Sequence, residues 1–193
     1  MEICKMLKGK NIKLREVRDE DIPLFWKWKN EPKYYEFFYE LMPISWQQQQ
    51  NWISKILNDP TELIFTIALN DGSDSCLGTV GFQHIDRRNR KAEWGRWIIG
   101  DKDSAPRGAG KEVECLMVEY AFEHLGLNKL YCEVLTTNEM VVNLHKRFGF
   151  VEEGLFKEHI LKQGKFVDIV LLALYAKKYY EIKDHIKKMA LLV

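Results

Sequence analysis

The chain has 193 residues and a formal net charge of +1, with 46% hydrophobic and 30% charged residues. That is enough chain for one domain with its own core, and it excludes the strong positive field that gathers nucleic acid or anionic membranes. No run of about 18 apolar residues is long enough to span a bilayer. Met1-Glu2-Ile3-Cys4-Lys5 lacks the apolar core of a leader. The four scattered cysteines (Cys4, Cys76, Cys115, Cys132) form no Cys-x-x-Cys, so a cytoplasmic protein with no metal and no disulfide frame is expected.

Residues 11–17 alternate, with Ile12, Leu14 and Glu16 on one side, and read as a first strand. Asp19 or Asp21 caps a helix that tolerates Pro23 in its first turn, carries Ile22, Phe25 and Trp26, and ends near Asn30-Glu31-Pro32. Residues 34–42 are rich in aromatics (Tyr34, Tyr35, Phe37, Phe38, Tyr39). Ser45-Trp46-Gln47-Gln48 is a capping box opening a second helix, stopped before Pro60. Strands follow over residues 62–69, 76–86 and 91–99, joined by turns at Asn70-Asp71-Gly72-Ser73 and over residues 87–90.

The stretch 107–125 organises the rest. Arg107-Gly108-Ala109-Gly110-Lys111-Glu112 is a glycine-rich turn opening a helix in which Val113, Leu116, Met117, Tyr120, Ala121 and Leu125 recur at three- and four-residue steps. Glu112, Glu114, Glu119 and Glu123 stand between them. Glycines admit φ > 0 and close approach of a ligand, the first helical turn has N–H groups without internal partners, and Arg107 and Lys111 add charge. An anion such as a phosphate suits that point, and so does an ordinary turn. The spacing fits neither a Walker A loop nor a dinucleotide fingerprint. A strand over 129–135, a short helix capped by Asn138 and ended by Gly149, strands over 150–161 and 166–174 across Gln163-Gly164, and a lysine-rich helix from Ala176 to about Met189 complete the chain. The element order is β-α-α-β-β-β-α-β-α-β-β-α, which implies a mixed sheet with one parallel crossover pair.

Four pieces of the sequence carry a resemblance. They are Leu77-Gly78-Thr79-Val80-Gly81-Phe82, Arg107-Gly108-Ala109-Gly110 with Glu114, the segment from Asn138 through Leu144-His145-Lys146-Arg147-Phe148-Gly149-Phe150, and Trp28-Lys29-Asn30-Glu31-Pro32. In this order they resemble the GCN5-related N-acetyltransferase (GNAT) family, and within it the RimJ/RimL-like branch. The resemblance implies an α/β (α+β) domain over residues 1–193, with a mixed, mostly antiparallel sheet of about seven strands flanked by helices. It implies an enzyme that moves acetyl from acetyl-CoA, a co-substrate, to a primary amine by direct attack. A narrower similarity, in Glu133-Val134-Leu135, Asn138, Leu144-His145-Lys146, Phe148-Gly149-Phe150, Glu153-Gly154 and Asp168, is to the amino-sugar N-acetyltransferases of the pseudaminic acid pathway. Those acetylate the 4-amino group of a UDP-linked dideoxy sugar, so a small, nucleotide-linked amine acceptor is expected. A protein N-terminus, polyamines, antibiotics and a catalytically silent CoA-binding module stay as alternatives.

The roles follow from the chemistry. Arg107 and the backbone from Gly108 through Ala109, Gly110 and Lys111 to Glu112 would hold a pyrophosphate, and a backbone N–H near Ile98 or Ile99 would meet the oxyanion. Asn138 reads as a helix cap and a coenzyme contact. Glu93 shares a strand face with Gly95, Trp97 and Ile99 by period-two alternation. It is either a base acting through water or a solvated residue paired with Arg96 or Lys91. His145 stands where many members of the family have a tyrosine thought to protonate the thiolate, and reads either as that acid or as a packed ring beside Val141, Leu144 and Phe148. Glu112 stands where the family has a small residue, which costs nothing if its side chain points away from the ligand. Trp28, Asn30 and Tyr34 are the candidate acceptor contacts. His84 and His159 have no role beyond polar strand positions. The apolar end Met189-Ala190-Leu191-Leu192-Val193 leaves a homodimer open.

Overall fold

A computed structural model describes residues 6–39 and 43–191. Residues 1–5 with Cys4, residues 40–42 at the end of the aromatic stretch, and the last residues 192–193 lie outside them. Eight strands among the described residues form one sheet, in the order β1-β2-β3-β4-β5-β6-β8-β7. They are β1 (Leu7–Lys8), β2 (Ile12–Arg15), β3 (Leu63–Leu69), β4 (Cys76–Asp86), β5 (Lys91–Ile99), β6 (Lys129–Leu135), β7 (Val151–Lys162) and β8 (Lys165–Tyr175). Every pairing is antiparallel except β5 with β6. The strand beyond the expected seven is β1, only two residues long and paired with β2; so short a run carries no readable alternation.

The helices are α1 (Ile22–Lys29), α2 (Pro32–Tyr35), α3 (Trp46–Asn58), α4 (Ala109–Glu119), α5 (Glu139–Arg147) and α6 (Ala176–Leu191). Alternation along β3 separates the two faces of the sheet. Phe65 and Ile67 belong to the main core, where Phe65 meets Tyr120 edge-on at 5.3 Å, while Ile64 packs with Ile53 and Ile56 of α3. On the main-core side, Phe122 stacks on Tyr179 of α6 at 4.9 Å. Ala190 is buried and Met189 packs on the same core, so this part of the apolar terminus is covered by the chain itself. Among the described residues no helix is long and apolar enough to cross a membrane.

Local chemistry fixes the junctions. The Ser45 box forms as read, with Gln48 N–H donating to Ser45 Oγ at 3.2 Å and Ser45 N–H to Gln48 Oε1 at 2.7 Å. Gln163 and Gly164, both at positive φ (48° and 77°), make the two-residue hairpin between β7 and β8. Asp21 precedes α1 but does not cap it with its side chain. Its buried carboxylate takes two bonds from Arg15 (2.7 and 2.9 Å), one from the Arg18 N–H and one from Thr66.

The central helix departs most from its pattern. It begins at Ala109, with Gly108 at φ 85° just before it, and its α geometry stops at Glu119; a π turn spans Tyr120–His124. Glu112 and Glu114 are buried rather than solvated, at 3% and 0% exposure. Glu112 reaches back to β2, where its carboxylate accepts from Asn11 N–H (3.0 Å), Ile12 N–H (3.2 Å) and Asn11 Nδ2 (2.5 Å). It anchors the helix to the sheet edge.

Two stability predictions follow from these carboxylates. Burial pushes Asp21 up, but the bonds from Arg15, Arg18 and Thr66 outweigh it and hold the carboxyl below its usual 3.8. The folded value lies below the unfolded one, so the stabilisation is complete above pH 3.8 and lost as pH falls through the depressed value. Asp21→Asn is expected to cost about 3 kcal/mol at neutral pH, because it strands a buried guanidinium. Equilibrium denaturation should show that difference closing below pH 3.8. Glu112→Ala removes the acceptor of three donors and should cost at least about 2 kcal/mol in the same measurement, with Glu112→Gln recovering part.

Candidate active site

The site begins where β5 and β6 part. Their ladder has three pairs, Lys91 with Lys129, Ala92 with Leu130 and Glu93 with Tyr131. Beyond Glu93 the backbone of β5 faces a gap on its β6 side while remaining paired to β4 through Ile98 and Ile99. A cleft of about 430 Å³ fills the gap. Its floor is β5 from Glu93 to Ile98 and β6 from Cys132 to Leu135. Phe37, Phe38, Tyr39 and Trp52 form an aromatic wall, and Asn138, Val141 and His145 close the α5 side.

A bulge steers β5 into this position. Gly95 pairs with Gly81 but Ile98 with Thr79, one residue out of step, and Arg96 between them has φ 55°. The row of Glu93 and Gly95 therefore does not continue to Trp97 and Ile99 by simple alternation. Ile98 joins the cluster of Phe25, Trp28 and Tyr34, and Ile99 packs on the main core. Thr79 Oγ1 and Trp97 Nε1, both on the cleft, are buried without a partner among the described residues.

Glu93 is 8% exposed and is not the solvated partner of Arg96 or Lys91. Arg96 binds Glu62 at 2.8 Å, while Glu93 accepts from Gln83 Nε2 at 2.6 Å and lies 2.9 Å from His84 Nδ1. His84 sits at φ 52° with its side chain 67% exposed, so it connects Glu93 to solvent. Glu133 is a second cleft carboxylate, 3.4 Å from Tyr39 OH. Burial, then the charge of Glu93, pushes its carboxyl up. By sequence alone, Glu133 and Gln83 carry no site role and His84 only a polar strand position; Glu133 lies two positions beyond Tyr131, the register partner of Glu93.

His145 is 2% exposed and on the cleft. Its ring stands edge-on to Trp94 at 4.5 Å, and its Nδ1 lies 2.9 Å from Glu114 Oε1. Burial alone would lower its pKa, but the Glu114 carboxylate and, after it, the Cys132 thiol outweigh this and push it up to about 10. Glu114 itself is raised by its complete burial, with His145 pulling the other way. Each of the two groups thus holds its proton more tightly than it would in water.

The three candidate acceptor contacts are not on the cleft. Trp28 is buried against Gly100, where a Cβ would fall 1.9 Å from its ring. Tyr34 OH donates to the Gly100 carbonyl at 2.8 Å. Asn30 binds both the N–H (2.7 Å) and the carbonyl (3.1 Å) of Ile44. They brace the wall from behind. The wall is also held from the far side of the sheet, where Lys162 at the tip of β7 donates to the carbonyls of Tyr35 (3.1 Å) and Phe38.

The glycine turn lies beside the cleft. Gly110 lies under Trp97, where an added Cβ would come 3.6 Å from the ring. Of its backbone donors, Ala109 already binds Pro106 O, and Lys111 and Glu112 both bind Gly108 O. An anion there relies on Gly108, Gly110 and the exposed Arg107 side chain. Glu112 takes no part, because its carboxylate is spent on β2. Asn138 stands at the start of α5 without a side-chain cap bond, and its side chain faces the cleft. The arrangement fits a CoA-type co-substrate. The turn would take its pyrophosphate, the unpaired β6 side of β5 would pair with its amide arm, and the arm's reacting end would come between Glu93 and His145. Among the described residues no group of three or more His, Cys, Asp and Glu side chains could hold a metal ion.

Comparison with known proteins agrees with this geometry. The Acetyltransferase (GNAT) domain matches residues 11–151. The spermidine N(1)-acetyltransferase of Vibrio cholerae is 25% identical over 166 residues, 86% of this chain and 94% of the relative. The uncharacterized N-acetyltransferase p20 of Bacillus licheniformis is 24% identical over 90% of this chain and 97% of its own. The putative ribosomal N-acetyltransferase YdaF of Bacillus subtilis is 32% identical over 58% of each chain. The crystal structure of the Vibrio cholerae spermidine N-acetyltransferase with CoA and spermine superposes with a TM-score of 0.80 at 24% identity, covering 88% of this chain and 98% of that one. The fold, the parted strands and the domain match together make this chain a member of the GNAT family, an acetyl-CoA-dependent N-acetyltransferase.

Proposed function

We propose that the acceptor is a small amine with more than one positive charge, of the polyamine class, acetylated by direct attack on the thioester. The observation that carries this is the pair of carboxylates Glu93 and Glu133 on the two parted strands, facing one cleft with Tyr39 between wall and floor. Two carboxylates there attract ammonium groups and disfavour a diphosphate. The names of the Vibrio cholerae relatives, spermidine acetyltransferases, support the same class.

In this reading Glu93 takes the proton of the attacking amine through a water, and His84 passes it to solvent. Backbone N–H groups near Ile98 stabilise the developing oxyanion, since the bulge turns that stretch toward the gap. His145, carrying the proton it shares with Glu114, delivers it to the departing thiolate. Acetyl-CoA supplies the activated acyl group. Arg107, Gly108 and Gly110 hold its phosphates, and Asn138 lines its approach.

The nucleotide-linked amino sugar implied by the narrower resemblance is the second reading. The aromatic wall of Phe37, Phe38, Tyr39 and Trp52 favours it, because such faces stack on sugars and bases. Thiol release from acetyl-CoA with spermidine, a UDP-linked 4-amino sugar, a short peptide and an aminoglycoside separates these. Turnover confined to spermidine supports the first reading; turnover confined to the amino sugar replaces it with the second. Glu133→Gln should raise KM for spermidine about tenfold with kcat little changed, the loss of one charge-assisted contact. An unchanged KM would remove Glu133 from the acceptor site.

A further inference from the structure

We propose that Glu114 is a positioning residue of the acetyl-transfer step: from beneath the site, it keeps the His145 imidazole protonated and oriented as the proton donor to the departing thiolate. This deepens the reading of His145 given above and rests on it. Glu114 lies on α4 two residues beyond Glu112, yet the two carboxylates are treated in opposite ways. Glu112 is saturated by three N–H donors from Asn11 and Ile12. Glu114 is fully buried with a single partner, His145 Nδ1, and its second oxygen has none among the described residues. A native fold does not keep a buried carboxylate so poorly bonded for stability, since an apolar residue would cost less. What the arrangement does achieve is a carboxylate 2.9 Å from a ring at the cleft, with Nδ1 held by Glu114 and the Cys132 thiol, also on the cleft, bonded to the same ring.

Among the surrounding groups that raise the proton affinity of His145, the charge of Glu114 is the largest, with the Cys132 thiol adding to it. The titratable groups facing His145 are Glu114 from α4 and the Cys132 thiol from β6. β5 presents the rings of Trp94 and Trp97, and the segment after α5 presents Phe150 at 4.9 Å. An imidazole in that apolar box would lose its proton in the neutral range without a counter-charge. With Glu114 in place its pKa is pushed up to about 10. The step itself balances simply. The amine nitrogen forms its bond to the acyl carbon and gives up a proton through water to Glu93, the carbon–sulfur bond breaks with its electron pair going to sulfur, and the His145 N–H proton passes to that thiolate. That leaves a neutral His145 ring beside the Glu114 carboxylate, and the ring regains its proton from water.

The experiment is a ring-nitrogen NMR titration of His145 in the intact protein, together with pH profiles of kcat in the protein and its variants. In the wild type, His145 should stay protonated through neutral pH and titrate near 10. Titration at or below about 6.5, the ordinary histidine value, would overturn the proposal without any variant. In Glu114→Gln, His145 should titrate below about 7, and the basic limb of kcat should move down by about 3 pH units. Glu114→Asp, which keeps the charge, should restore most of the wild-type limb. The family's residue supplies the control. In a His145→Tyr background, Glu114→Gln should no longer move the limb. A limb unmoved in folded Glu114→Gln, or an equal loss in the tyrosine background, would make Glu114 merely structural. If instead His145→Gln keeps the wild-type rate and profile, the acid role of His145 fails, while the NMR titration still reports whether Glu114 holds its proton.

Discussion

Most of this site depends on one constraint, a parallel strand pair that stops after three residues. A crossover through α4 brings β6 beside β5 at Lys91–Glu93, and the ladder then gives way. The one-residue bulge at Arg96 turns β5 from the line β6 would need, while it stays paired to β4 with the register shifted by one. Backbone donors and acceptors that a regular sheet would consume are left facing a cleft. Both strands also point side chains into it that would otherwise be covered. Glu93, Glu133, Cys132 and the ring of His145 meet there because the sheet opens.

The buried carboxylates divide by how completely they are bonded. Asp21, with Arg15, Arg18 and Thr66, and Glu112, with Asn11 and Ile12, are saturated and hold elements together. Glu93, Glu133 and Glu114 are not. Each has few partners, and one partner of each is a group that can carry or pass a proton: His84, Tyr39 and His145. In a low-dielectric setting a saturated carboxylate is inert, and an undersatisfied one remains responsive to charge arriving nearby. The same residue type thus serves as rivet and as reagent in one chain, and α4 alone carries one of each within two residues.

Much of the architecture was legible in the sequence. The capping box at Ser45, the Gln163-Gly164 hairpin and the crossover through the central helix followed from local rules and element order. What was not legible is long-range. Glu112 and Glu114 look like a solvated helix face because Asn11, Ile12 and His145 lie far from them along the chain. The bulge puts a non-glycine residue at positive φ, a conformation period-two alternation cannot register. Trp28, Asn30 and Tyr34 have the composition of a binding surface but bond to Gly100 and Ile44, so they set the wall's position without touching what it encloses. Asn138 occupies the cap position by backbone alone, which leaves its side chain for the cleft.

The bonds from Lys162 to the carbonyls of Tyr35 and Phe38 make the β7–β8 hairpin a brace for the aromatic wall. The hairpin arm is largely exposed, and its turn is two residues that bear no chemistry. Such a segment accepts insertions and deletions more readily than any part of the reacting centre. Lengthening or shortening it by a residue pair would carry Lys162 to a new height and move the wall with it. The fold thereby separates two evolutionary degrees of freedom: the floor of the cleft is fixed in the parted strands, and the position of its aromatic wall is tied to the length of a surface arm.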